Sequence, residues 1–175
     1  LFRYSVTDRR IATLADGQTC SNGKVFARED GSLLLYDIDT PRKRIDRYRI
    51  DGRDLIHEGV AVDLSGEAAF PDGMVDAGEG TAIVAFYNPH RGGDGVARRY
   101  DLKSGTVVEE WVTPGSPRVT CPLLIEREGR VRVLLTTATE GMPEEQRSES
   151  PNAGSMFITD TTLTAVPAVE LVRLG

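Results

Sequence analysis

Two residues carry the most chemical promise in this sequence: Asn22 in Ser21-Asn22-Gly23 and Asp72 in Pro71-Asp72-Gly73. A side-chain amide and a carboxylate are hard oxygen donors, the kind that a divalent cation collects. Taken singly, each pair is a turn dipeptide, because Asn-Gly and Asp-Gly are common tight-turn residues. Their spacing is what raises them. Asn22 stands 18 residues after Tyr4, Asp72 stands 24 after Tyr48, and Thr120 stands 20 after Tyr100. If the tyrosines mark equivalent places in a repeat, an Asn, an Asp and a Thr are brought to face one small space. Other constellations offer less. His57 and His90 fall in segments that read as turns, with no Ser or Cys context for a nucleophilic triad. Asp37 and Asp39 lack the Gly and Glu at calcium-loop spacing and read as carboxylates that stabilise a strand end.

The elements that must position these residues are legible as a repeat. Four segments share a β-like run, a polar turn and a second β-like run. They are 1–6 with 11–14, 44–50 with 54–56, 96–102 with 106–112, and 155–159 continuing from Leu163. β-Branched and aromatic residues alternate with polar ones in each, and Gly, Asp and Ser bound them, as hairpins require. Between the hairpins lie apolar runs, 33–36, 82–87 and 131–135, that read as strands buried on both faces. Tyr4, Tyr48 and Tyr100 are 44 and 52 residues apart. A period of about 40–50 residues with four strands per unit is the signature of a β-propeller. The prediction is an all-β chain forming a single partial domain over 1–175, with about three and a half four-stranded blades. Propellers close with roughly four to eight blades, so the remaining blades are expected from the same longer chain or from a second subunit. A start at Leu1 rather than Met fits the first of these.

The motifs resemble those of the regucalcin (senescence marker protein), gluconolactonase and luciferin-regenerating-enzyme-like family, in its C-terminal part. Cys20-Ser21-Asn22-Gly23 followed by Leu35-Tyr36-Asp37-Ile38-Asp39-Thr40, then Phe70-Pro71-Asp72-Gly73-Met74-Val75-Asp76-Ala77, carry the resemblance. So do Val84-Ala85-Phe86-Tyr87-Asn88, Arg99-Tyr100-Asp101, Leu135-Thr136-Thr137-Ala138 and Ala153-Gly154-Ser155-Met156-Phe157. The resemblance implies a six-bladed propeller and hydrolysis of sugar lactones by one divalent cation (Ca²⁺, Zn²⁺ or Mn²⁺). It makes Asn22 and Asp72 two of the cation's ligands, with a third, a Glu, expected upstream of Leu1. The cation polarises the lactone carbonyl, Asp72 assists the attack of water, and Thr120 stands in the substrate wall or serves a purely structural role. Residues 24–29, 90–95 and 126–129 depart from the family pattern, and 90–95 reads as an insertion near the channel mouth.

Composition bounds the alternatives. A net charge of −6 without a Lys/Arg stripe argues against nucleic-acid binding. Arg42-Lys43-Arg44 sits among Asp37, Asp39 and Asp46 and reads as a solvated turn. No run approaches the roughly 18 apolar residues of a membrane span. Cys20 and Cys121 read as reduced, buried thiols of a cytoplasmic protein. Trp111 and Tyr100 are expected to pack between blades. The segment 140–150, with Pro143 and Pro151 near its ends, is expected to be an exposed loop. Two other readings stand beside the lactonase: a non-catalytic calcium-binding or protein-binding propeller, and an inactive fragment with an incomplete metal site.

Overall fold

The computed structural model describes residues 1–168. Among these the chain forms thirteen strands and one short helix. A first hairpin pairs β1 (Phe2–Ser5) with β2 (Arg10–Thr13). A four-stranded sheet follows, β3 (Ser21–Glu29), β4 (Ser32–Asp39), β5 (Arg44–Asp51) and β6 (Asp54–Asp63). A second four-stranded sheet comprises β7 (Phe70–Gly78), β8 (Thr81–Tyr87), β9 (Gly95–Asp101) and β10 (Val107–Thr113). The last sheet has three strands, β11 (Val119–Arg127), β12 (Arg130–Thr137) and β13 (Met156–Asp160), with helix α1 (Glu144–Ser148) in the β12–β13 loop. Every sheet is an antiparallel meander in chain order.

The predicted hairpins lie in β1–β2, β5–β6 and β9–β10, and the apolar runs lie in β4, β8 and β12. The first and second strands of three successive sheets are joined by two-residue turns, Asp30-Gly31, Glu79-Gly80 and Glu128-Gly129. Both residues of each turn have positive φ, from 47° to 79°. This is the pattern of the tight turn whose twist matches the flanking strands.

Period-2 alternation, with both faces buried, explains why β8 is apolar from Ala82 to Phe86. On β8, Ala82, Val84 and Phe86 enter a core shared with β3–β6, where they meet Val25, Leu34, Tyr36, Ile38 and Met74. The intervening Ile83 and Ala85 enter the next core, with Trp111, Leu124, Val133 and Leu135. One strand thus feeds the cores on both sides of its sheet. Tyr100 and Trp111 pack between sheets as expected, and Trp111 Nε1 donates to the carbonyl of Asp160 on β13 at 2.9 Å.

Two expectations change. Residues 161–168 form no second strand beside β13. The Glu109 carboxylate on β10 instead accepts from the Thr161 hydroxyl and from the amide and hydroxyl of Thr162, at 2.9 to 3.0 Å. These bonds draw the chain off the β13 ladder and across to the neighbouring sheet. The rest of the predicted fourth hairpin lies outside the described residues. The segment 140–150 is not simply an exposed loop, since it contains α1 and buries Met142 and Ser150.

The innermost strands β3, β7 and β11 lie side by side, and glycine sets their separation. A Cβ on Gly23 would lie 2.6 Å from Met74 Cβ and 2.8 Å from the Asp72 carbonyl oxygen. A Cβ on Gly73 would lie 2.5 Å from the Thr120 carbonyl oxygen and 2.9 Å from Cys121 Cα. Neither glycine has a positive φ, so each is required for close approach and not for backbone conformation. Gly23→Ala and Gly73→Ala are each expected to destabilise the fold by about 1–3 kcal/mol, the usual range for overpacking. Gly66→Ala, with nothing within 4 Å and an ordinary φ, should leave the denaturation midpoint unchanged.

Candidate functional site

Asn22 and Asp72 do not lie in turns. Each sits near the start of an innermost strand, at a bulge. On β3, Ser21 pairs with Asp39 and Lys24 with Asp37, so Asn22 and Gly23 together oppose Ile38. On β7, Pro71 pairs with Phe86 and Met74 with Val84, so Asp72 and Gly73 together oppose Ala85. On β11, Val119 pairs with Thr137 and Cys121 with Thr136, which makes Thr120 the additional residue. The same irregularity thus recurs at the same place in three sheets, and bulges re-aim side chains at sheet rims.

The outcome is a direct contact between sheets. Asn22 Nδ2 donates to Asp72 Oδ1 at 2.7 Å and to Thr40 Oγ1 at 3.1 Å. Thr40 in turn donates its hydroxyl proton to the Pro71 carbonyl at 2.8 Å. This chain of bonds orients the amide, leaving Asn22 Oδ1 without a protein donor among the described residues. Thr40 was not singled out from sequence, although it closes the Asp37-Ile38-Asp39-Thr40 run; its hydroxyl acts across the gap between two sheets, where sequence offers no signal. Thr120 is not joined to the pair: its hydroxyl bonds Thr136 Oγ1 at 2.7 Å.

The segment leading into β3 is tied down by the two buried carboxylates of β4. Asp37 accepts from Gln18 Nε2 at 2.5 Å and Ser21 Oγ at 2.8 Å, and pairs with Lys24 at 3.1 Å. Asp39 accepts from the amides of Thr19 and Cys20, both at 3.2 Å. They brace a strand end, as the sequence suggested. Arg42, Lys43 and Arg44 are all engaged locally, with Asp39, the Glu67 carbonyl and Asp46. His57 belongs to β6 and not to a turn, and its Nε2 meets Asp46 Oδ1 at 3.0 Å. His90 lies in the β8–β9 loop with its ring 5.8 Å from that of Phe70.

Burial pushes the Asp72 carboxyl above the usual range, and the hydrogen bond from Asn22 only partly offsets it. No Lys or Arg pairs with Asp72 among the described residues. A half-buried carboxylate with one neutral donor is electrostatically undersupplied, and a cation would remedy that. The donor set, an amide oxygen beside a carboxylate, fits a hard divalent ion in kind. It does not fill a coordination shell: among the described residues no group of three or more His, Cys, Asp or Glu could hold a metal. Both cysteines are free and exposed, contrary to the expectation of buried thiols. Partial desolvation of its sulfur, and then the Asp72 charge, raise the Cys121 thiol. An apolar cleft of about 490 Å³, lined by Phe2, Leu14, Phe26, Leu35 and Leu55, opens on the β1–β2 side of the β3–β6 sheet.

The family described as the SMP-30/Gluconolactonase/LRE-like region matches residues 1–139. The chain belongs to this family. Two bacterial relatives bear the name "Putative sugar lactone lactonase". The one from Bacillus subtilis is 30% identical over 164 residues, covering 90% of this chain and 51% of that protein. The one from Rhizobium meliloti is 29% identical over 154 residues, covering 88% and 50%. The crystal structure of a calcium-binding protein, regucalcin, from Agrobacterium tumefaciens superposes with a TM-score of 0.68 at 26% identity, covering 86% of this chain and 48% of that one. A luciferin-regenerating enzyme shares the fold, with a TM-score of 0.73 at 15% identity over 92% of this chain and 51% of that one. The chain spans about half the length of these relatives. The resemblance read from the sequence motifs is therefore correct.

Replacing Asp72 by Asn keeps an acceptor for Asn22 and removes the uncompensated charge. In the presence of a chelator, Asp72→Asn should melt no lower than the parent. Asn22→Ala, which strips a donor from both Asp72 and Thr40, should cost about 1–3 kcal/mol.

Proposed function

We propose that this chain forms part of a closed six-bladed propeller that hydrolyses sugar lactones with one divalent cation, Ca²⁺, Zn²⁺ or Mn²⁺. The observation that carries the reading is the 2.7 Å contact between Asn22 and Asp72, made across two sheets at equivalent bulges. In this reading the two residues supply two oxygen ligands, and a Glu from the blades outside this chain supplies a third. Those blades come from a longer chain or from a second subunit.

When bound, the cation supplies Lewis-acid polarisation of the lactone carbonyl. Asn22 ligates through a neutral oxygen, so it holds position without cancelling positive charge. Asp72 can use one carboxylate oxygen as ligand and the other as the base that takes a proton from the attacking water. Thr40 and the Pro71 carbonyl keep the Asn22 amide from rotating. Thr120 stands one blade further round, where its hydroxyl bonds Thr136 and lines the approach without touching the pair.

Asp72→Ala should abolish cation-dependent hydrolysis of glucono-1,5-lactone by the intact protein, followed by proton release in a pH-stat. Chelation of the parent should do the same, and added Mn²⁺ should restore its rate. Unchanged turnover in Asp72→Ala would sink the mechanism. Cation binding without turnover in the parent would favour the non-catalytic calcium-binding reading.

A further inference from the structure

Arg118, the residue before β11, is 2% exposed, and no carboxylate pairs with it among the described residues. Its Nη1 donates to the Tyr87 hydroxyl at 3.2 Å and to the Glu140 carbonyl. Its Nη2 donates to Gln146 Oε1 at 2.9 Å and reaches the Pro89 carbonyl at 3.5 Å. The guanidinium carbon lies 5.4 Å from the centre of the Tyr87 ring. Burying a full positive charge against neutral acceptors costs free energy that an apolar side chain would avoid. What the arginine gains over such a side chain is reach. One planar group bonds the β8–β9 loop, α1 and the segment before it, from the start of β11.

These segments also bond one another and the β10–β11 loop directly. Gln146 Nε2 donates to the Pro89 carbonyl at 3.0 Å, and the Gly93 amide donates to Ser150 Oγ at 3.2 Å. The Gly115 amide donates to Asp94 Oδ1 at 2.7 Å, and Asn152 Nδ2 to the Pro114 carbonyl at 2.9 Å. A Cβ on Gly92 would lie 2.7 Å from Glu149 Cβ, so the loop lies flush against the end of α1. The wall stands at the Asp72 end of the sheets. Tyr87 pairs with Phe70, two residues before Asp72, and also bridges to Arg118. His90, in the same loop, packs on Phe70.

We propose that Arg118 is a positioning residue that locks residues 88–94 and 140–152 into one rigid wall beside the Asp72 mouth, and that this wall governs which lactones reach the site. The second half rests on the lactonase reading; the first does not. The test uses Arg118→Met and Arg118→Lys in the intact protein. Hydrogen exchange should rise in 88–94 and 140–152 together in Arg118→Met, and by less in Arg118→Lys, which keeps the charge and some of the bonds. KM for glucono-1,5-lactone should rise about tenfold in Arg118→Met, with kcat and Mn²⁺ affinity by calorimetry within about twofold. Unchanged exchange at both loops overturns the locking role. A fall in kcat and Mn²⁺ affinity with KM constant shows that Arg118 acts on the metal pair, and overturns the wall's role in selection. If the parent hydrolyses no lactone, the lactonase reading and the selection half fail together, while loop exchange still decides the locking role.

Discussion

A Cβ atom at residue 73 would overlap the backbone of Thr120 and Cys121, and one at residue 23 would overlap that of Asp72 and Met74. Backbone-to-backbone approach of this kind has no side chain to yield, so the three inner strands are held at a separation that only glycine permits. The rest of the structure follows from it. Sheets drawn this close at their inner edges bury both faces of β8, the second strand of the central sheet, which is apolar from Ala82 to Phe86. The bulges beside the glycines turn Asn22 and Asp72 toward one another, so the constraint that packs the sheets also assembles the pair.

Packing of this kind leaves the two ends of the arc different from its middle. Ile83, Val84 and Ala85 in the central sheet are fully buried, whereas Phe2, Ile11 and Phe26 at one end and Leu123 and Met156 at the other are more than half exposed. The chain spans about half the length of its relatives.

Electrostatics at the rim shows two opposite compromises. Among the described residues, Asp72 is a carboxylate without a cationic partner, and Arg118 is a guanidinium without a carboxylate. Taking either charge out of water without an opposite partner costs free energy. The first leaves room for a bound cation, and the second ties together loops that share no strand ladder. Charges taken wholly or partly out of water without an opposite partner are places where function is best sought.

Hairpin spacing, the apolar runs and the oxygen donors at equivalent offsets were all legible in the sequence, because strand alternation and turn chemistry are local. So was the family, through the Ser21–Gly23 and Pro71–Ala77 motifs. Asn22-Gly23 and Asp72-Gly73, turn dipeptides when taken singly, lie in bulges near the starts of β3 and β7, in keeping with their offsets in the repeat. The local reading misassigned what depends on distant neighbours. His57 is a strand residue facing Asp46, and both cysteines proved exposed. The tail after β13 leaves its ladder where Glu109, some fifty residues earlier, accepts from Thr161 and Thr162. Thr40 and Arg118 act wholly through groups far away in the chain. Sequence alone determined the strands and the donors; tertiary structure decided which donors meet and what holds them, since those contacts form between sheets and leave no periodic trace.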